Sequence, residues 1–362
     1  MYKPRIARPD DIEDIKKLWI DRFGEEEGFA DFMFSSRYIP EYSACIEENG
    51  KIISALQSIP QNILIRGRIL PCTILAGVST DEEYTGRGLM SRVFSFYMNH
   101  IASLDIPLTV HTPANHPTFF SKGHLSATNT RFVTINSAVG YTEPENIRPD
   151  ELYKFYSTVC TKYSGIISRS YPDFLFKLKD YESTGGKYIA VRINGMVTGY
   201  AVYFDYYEVL AEEVLAIDSE SYEKLVDMLK TISNGRKLSM KLPPDIGIEI
   251  VADSDETKPK GVAGIASLET LLRMAVGIDD FAVEVQDRIV EQNNGVFNLS
   301  GGKTTKSPQI CLSVGHLMQL IEGYKSIEEL REEGVVHIRD DNAMRELSKL
   351  FPKQNCFIFD EY

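Results

Sequence analysis

The run from Ile74 to Met90 constrains this chain more than any other stretch. It opens with Ile74-Leu75-Ala76-Gly77-Val78, an apolar segment of strand length. It then crosses Ser79-Thr80-Asp81-Glu82-Glu83-Tyr84-Thr85 to Gly86-Arg87-Gly88, directly before a helix predicted from about Leu89. In that helix Met90, Val93, Phe94, Tyr97 and Ile101 share one face. A helix start leaves unpaired amides and a partial positive charge. Glycines let a phosphate approach those amides closely, and Arg87 adds a charged donor. Two glycines alone would suit any tight turn. Their place after a helix, four strand signals and an apolar strand points to phosphate binding.

The preceding region supports that order. Residues 9–22 read as a helix with Ile12, Ile15, Leu18 and Trp19 at helical spacing. Strand signals follow at 42–46 and 51–58 around Asn49-Gly50, then at 62–66 and 69–79 around Gly67-Arg68. Another short strand is predicted at 108–111. Residues 142–149 are polar and end in proline, as a linker would. Beyond them the order repeats: helices at 149–163 and 171–181, a hairpin turning at Asn194-Gly195, a strand at 214–217, a helix at 222–229 and a strand at 237–242. The local run from Ile74 to Ser79 echoes the run from Val214 to Ser219. Residues 253–260, charged and carrying a proline, are a second boundary candidate. The remainder reads as mixed helices and strands, with a last strand at 356–359.

The chain has 362 residues, enough for two or three domains. A net charge of −13 argues against nucleic acid as a partner. The five cysteines are scattered, form no close pair, and fit reduced thiols in the cytoplasm. No apolar run approaches membrane-span length, so no membrane role is expected. His316 and His337 lack ligand partners at workable spacing, so no metal is expected. Gly302-Lys303-Thr304 imitates the end of a P-loop, but Phe297 stands where its first glycine belongs.

Glu83-Tyr84-Thr85-Gly86-Arg87-Gly88 resembles the acetyl-coenzyme-A loop of the GNAT acyltransferases, Q/R-x-x-G-x-G/A, with Glu83 at the divergent first position. The domain order resembles the enhanced intracellular survival (Eis) group. The fold class this implies is α/β (α+β): two GNAT-like acyltransferase domains in tandem, then a sterol-carrier-protein-like domain. The expected bounds are 1–145, 146–255 and 256–362. The second domain has no glycine loop and is expected not to bind cofactor.

The resemblance implies an N-acetyltransferase that moves an acetyl group from acetyl-coenzyme A straight to a primary amine on a cationic small molecule or peptide. It also implies a homo-oligomer, with a hexamer as the expected form. By match, Gly77, Val78 and Ser79 meet the acetyl and pantetheine groups. Thr85, Gly86, Arg87, Gly88, Leu89 and Met90 meet the diphosphate, and Asn115 lies along the pantetheine. His124, following Phe119-Phe120-Ser121-Lys122-Gly123, stands in the place of the family's general-acid tyrosine, with His116 as the spare. The carboxylate of Tyr362 is the expected base. Asp21, Glu25 and Phe29 are the expected acceptor contacts, with Glu26, Phe32, Asp360 and Glu361 nearby. The competing reading is a non-catalytic protein that binds acyl-coenzyme A or lipid on the same fold.

Overall fold

A computed structural model describes residues 2–24, 27–112, 117–278 and 280–361. The first part contains β1 (Arg5–Ile6), α1 (Ile12–Phe23), α2 (Glu27–Arg37), β2 (Ser43–Glu48), β3 (Lys51–Ile65), β4 (Arg68–Thr80), α3 (Leu89–Ser103), β5 (Leu108–His111), α4 (Pro117–Phe120) and β6 (Leu125–Ile135). Strands β2, β3 and β4 form an antiparallel meander, and β5 returns parallel to β4 through α3. The first turn sits where the sequence puts it, and the second falls at Arg66-Gly67, one residue before the expected Gly67-Arg68. Asn49 and Gly50 have φ of 52° and 78°, and Arg66 and Gly67 have 50° and 74°. The four predicted strand segments are three in fact, because 51–58 and 62–66 are one continuous strand, β3. Pro60 within it still lies opposite Thr73 of β4. Helix α2 and strand β6 were not predicted. α2 follows an acid run and mixes small, polar and aromatic residues, and β6 is rich in threonine and asparagine. Tertiary packing overrides weak local pattern in both.

The second part holds α5 (Pro149–Val159), α6 (Tyr171–Ser183), β7 (Gly186–Ile193), β8 (Met196–Asp205), β9 (Val209–Ala216), α7 (Ser219–Ser233) and β10 (Leu238–Leu242). It repeats the first layout, with an antiparallel β7–β8–β9 meander and β10 parallel to β9 through α7. Each half packs helices on both faces. α3 covers one face of β2–β4 and α1 with α2 the other, while α7 and the α5–α6 pair do the same for β7–β10. The two meanders bulge at matching places. Ala76 is the extra residue of β4 against β3, and Glu212 is that of β9 against β8. This register equates Gly77 with Glu213, so the predicted echo of 74–79 in 214–219 is four residues out of step.

The third part contains β11 (Ser254–Ile265), α8 (Leu268–Ala275), β12 (Ala282–Gln286), β13 (Gly295–Asn298), β14 (Ile310–Ser313), α9 (Val314–Glu322), α10 (Ile327–Glu332), β15 (Val336–Ile338) and α11 (Asp341–Leu350). Strands β12–β15 make a separate sheet in the order β13-β12-β14-β15. The segment 253–260, expected as a boundary, is mostly the start of β11. This strand runs antiparallel between β5 and β6 and welds both halves into one sheet of 11 strands, ordered β1-β2-β3-β4-β5-β11-β6-β10-β9-β8-β7. Its charges are solvated because residues 254–259 are exposed, while 261–265 are buried.

The final segment is not the predicted strand. Cys356 makes only an isolated bridge with Ser164. The segment is nonetheless packed, with Phe357 and Phe359 in the second half's core. Past them, Asp360 is fully buried and accepts from Arg169 Nε at 2.9 Å. Arg169 also grips Glu213 at 2.6 and 3.2 Å, and Tyr200 and Tyr181 donate to the same carboxylate at 2.8 and 3.0 Å. Arg169→Leu would strand two buried carboxylates. Urea unfolding should show a loss of about 3–5 kcal/mol, and a loss under about 1 kcal/mol would contradict this view of the tail.

Candidate active site

The β4–β5 ladder runs only from Cys72↔Leu108 to Ile74↔Val110. β4 continues to Thr80, still paired to β3 on its other edge. Beyond the Ala76 bulge, Gly77, Val78 and Ser79 therefore present an edge with no strand partner on the β5 side among the described residues. Parallel strands that part in this way leave a groove lined by backbone amides and carbonyls. Gly77 is needed for packing: a Cβ there would lie 2.5 Å from Gln57 Oε1 and 2.7 Å from Trp19 Cδ1. Val78 packs toward α3. Ser79 is buried, and its hydroxyl has no partner among the described residues.

The loop after β4 leads to α3. Asp81 caps a short turn over 82–84, accepting from the Glu83 amide at 3.0 Å and pairing with Lys51 at 2.5 Å. Thr85 Oγ1 donates back to the Asp81 carbonyl at 3.3 Å. Gly86 and Gly88 have φ of +80° and +73°, and a Cβ on either would meet nothing within 4 Å. Both glycines are thus set by backbone conformation, and the space above them is open. Gly88 caps α3 with no side-chain hydrogen bond, which leaves the first-turn amides of Leu89 and Met90 for a ligand. The Leu89 side chain is buried in the core, so its contribution to the loop is its backbone.

Arg87 braces this loop. It donates to Tyr2 Oη at 3.0 Å and to the Glu83 carbonyl at 2.9 Å, and lies 4.7 Å from the Tyr84 ring centroid. Glu83, the divergent position, is exposed. An uncapped, glycine-supported helix start beside a parted strand fits the diphosphate and pantetheine of coenzyme A.

The second half is closed at the equivalent points. Only Ile217 and Asp218 join β9 to α7, and the Asp218 carboxylate caps that helix, accepting from Ser221 N at 2.9 Å. A carboxylate already occupies the anion position there. Glu213 stands where the first half has Gly77, locked in the Arg169 network.

His124 sits differently from its expected position. It is 1 % exposed, edge-on to Phe94 at 4.9 Å and 5.6 Å from His111. Gly264 of β11 lies against the imidazole, where any Cβ would collide with it. Nε2 shares a 2.5 Å hydrogen bond with Thr109 Oγ1, and Nδ1 has no partner among the described residues. Burial pushes the ring down to about 4. The sealed ring is therefore neutral at pH 7, and its geometry gives no support to a role as imidazolium acid. The sequence could not foresee this, because β11 arrives from far along the chain. His111, at the end of β5, is also buried and held well below its usual value, by burial first and by His124 second.

Among the other expected residues, Asp21 is exposed on the last turn of α1. Glu25, Glu26, Asn115, His116 and Tyr362 lie outside the described residues, as does the side chain of Phe29. Phe32 stacks on Phe176 of α6 at 4.9 Å. The tail that leads to Tyr362 does reach the site: the Thr112 hydroxyl, just past β5, donates to the Asp360 carbonyl. Glu361 pairs with Lys260, whose ammonium is brought down to about 8 by burial, and lies 3.6 Å from Lys241.

A cleft that sequence reasoning missed opens on the α1–α2 side of the bulge. Trp19, Met33, Phe34, Arg37, Gln57 and Ala76 are among its walls. Its residues come from four elements: Trp19, Gln57 and Ala76 sit in segments that the sequence marks, whereas Met33, Phe34 and Arg37 belong to the unpredicted α2. Among the described residues, no group of three His, Cys, Asp or Glu side chains is placed to hold a metal, and no helix is long and apolar enough to cross a membrane. All five cysteines are unpaired.

The two buried imidazoles make stability depend on acid. Unfolded histidine takes a proton near pH ~6.5, whereas His124 in the fold waits until about pH 4. The unfolded chain binds more protons in that window, so stability falls as pH drops through it, by about 3 kcal/mol for His124 alone. Urea unfolding at pH 7 and 4.5 should show the fall, and His124→Leu should flatten it. An unchanged slope would show that the ring is open to water.

Comparison with known proteins agrees with this geometry. Residues 3–124 match the acetyltransferase (GNAT) domain family, and residues 268–358 match the sterol carrier protein domain family. No curated protein matches the chain. Among solved structures, it resembles a GCN5-related N-acetyltransferase from Anabaena variabilis (15% identity, TM-score 0.82). It also resembles a conserved protein of unknown function from Enterococcus faecalis, described as a probable N-acyltransferase (16%, 0.83). A third is Eis1 from Mycobacterium abscessus (14%, 0.77). Each alignment covers 100% of both chains, and at these identities the likeness is one of fold. The chain thus carries an acetyltransferase (GNAT) domain in its first part and a sterol carrier protein domain in its third, on a fold shared with Eis1.

Proposed function

We propose that this chain transfers the acetyl group of acetyl-coenzyme A directly to a primary amine. The observation that carries the reading is the parted edge of β4 lying next to the uncapped start of α3. The amides of Gly88, Leu89 and Met90 bind the diphosphate, with Thr85, Gly86 and Arg87 shaping the loop. The pantetheine arm runs along Gly77–Ser79, and the Val78 amide polarises the thioester carbonyl as it turns tetrahedral. The amine lone pair attacks that carbon, the C–N bond forms and the C–S bond breaks, and the departing thiolate takes up the proton that the acylated nitrogen sheds, so coenzyme A leaves as its thiol.

A free amine is mostly protonated at neutral pH, so a base must take its proton. The Tyr362 carboxylate is the proposed base. Its support is the course of the tail, which passes Thr112 at the mouth of the groove. His124 enters as a neutral orienting group for Thr109. Of the described acids expected near a cationic amine, Asp21 is exposed, while Asp360 is held by Arg169 and Glu361 by Lys260.

Gly88→Val would force a β-branched residue to φ +73° at the helix cap. Calorimetry should show coenzyme A affinity falling by about tenfold or more, with thiol release from acetyl-coenzyme A falling in step. Appending one residue after Tyr362 should lower kcat while leaving that affinity unchanged. Coenzyme A binding with no thiol release on any amine would replace this reading with that of a binding protein.

A further inference from the structure

The tail of the chain is held more firmly than a free terminus needs, and one hold comes from an irregularity in β11. This strand keeps one register with β6 from Ser254↔Thr134 to Pro259↔Asn129, then resumes at Gly261↔Thr128. Lys260 is the extra residue, with no partner in that register. A bulge of this kind re-aims a side chain out of the alternation of its strand. Residues 254–259 before it are exposed, yet the Lys260 side chain is only 10% exposed and pairs with Glu361. Gly261 lets the tail cross close to the strand. A Cβ there would lie 3.0 Å from Ile358 Cγ2 and 3.2 Å from Thr112 Cγ2. Close backbone approach and the ion pair together bring the tail over β11 beside Thr112.

Two further lysines reach Glu361. Lys241 of β10 lies 3.6 Å from its carboxylate and also pairs with Glu212, the bulge residue of β9. Lys177 of α6 donates to its carbonyl at 3.4 Å and pairs with Asp180 at 3.1 Å. Asp360 is gripped in the same double way, by Arg169 on its carboxylate and by Thr112 on its carbonyl. Both of the last two described residues are thus fixed at side chain and backbone. Chain ends fray unless they are tied down. Ion pairs taken out of water add little net stability, because desolvation offsets attraction, and their better-attested gain is in fixing geometry. Lys241 and Lys177 each have a second carboxylate to hold, whereas Glu361 is the one ion-pair partner of Lys260 among the described residues. Lys260 also belongs to the strand that pairs with β5, one wall of the groove.

We propose that Lys260 is a positioning residue for acetyl transfer: by holding Glu361 it sets the end of the chain at the mouth of the groove. It touches no reacting atom and acts through the tail. Its loss slows the chemical step and leaves coenzyme A binding alone, because the diphosphate loop and the β4 edge lie on other elements. This inference rests on the proposed transfer, in which the Tyr362 carboxylate is the base.

The test measures thiol release from acetyl-coenzyme A with the best acceptor of a primary-amine panel, and coenzyme A affinity by calorimetry. Lys260→Met should lower kcat by about tenfold and leave that affinity unchanged. Lys260→Arg keeps charge and reach and should recover most of the loss. Glu361→Gln breaks the same contact, so the double variant should be no slower than Lys260→Met alone. An unchanged kcat in Lys260→Met would overturn the inference and leave acetyl transfer standing. Losses that multiply in the double variant would do the same, as would coenzyme A affinity that falls in step with kcat. Should no amine be acetylated, the transfer reading fails and takes the kinetic role of Lys260 with it, and carboxypeptidase digestion decides the hold by itself. Release of Tyr362 about tenfold faster in Lys260→Met than in the wild type, and slow again in Lys260→Arg, supports a tail held by this lysine. Equal release from all three refutes it.

Discussion

Backbone pairing between β4 and β5 stops at Ile74↔Val110, and the chemistry follows from that stop. A parallel pair that continued would consume every amide on the β4 edge. The Ala76 bulge turns the strand, Gly77 clears its surface for Gln57 and Trp19, and the chain leaves at Thr80 toward two glycines that α3 needs at its start. The interruption is supported on both faces of the sheet, by α3 on one and by α1 with α2 on the other. The opening is therefore flanked by packed helices on both faces.

The second half shows how little separates a working groove from an inert one. It has the same meander, the same bulge and the same crossover helix. Glutamate replaces glycine after the bulge, and an aspartate closes the helix start. Glu213 then requires Arg169, which in turn holds Asp360. The charge that closes the second groove also anchors the tail that reaches the first. The second half contributes again through α6, whose Lys177 donates to the Glu361 carbonyl.

Local chemistry was legible in the sequence, and convergence was not. Gly86 and Gly88 could be read because their conformation and the strand and helix around them are written in one short run. The repeated architecture could be read because hairpins such as Asn194-Gly195 mark themselves. β6 and β11 could not, since both owe their place to pairing partners far along the chain, and charges in 254–259 mimic a linker. His124 was misjudged for the same reason: its seal is Gly264, a residue of β11. Lys260 carries no local signal at all. It is ordinary among the charges of 253–260 and becomes distinctive only where β11 bulges beside the tail.

The position of β11 also bears on how the molecule comes into being. Synthesis delivers both meanders before residues 254–265 exist, so β5 and β6 wait with bare edges on the side where β11 will pair. The last third of the chain is in that sense a keystone, inserted between two arches already standing. Until it arrives, the nascent protein carries open strand edges that other chains could capture, and the interval between making the groove and closing the sheet is when it depends most on its surroundings.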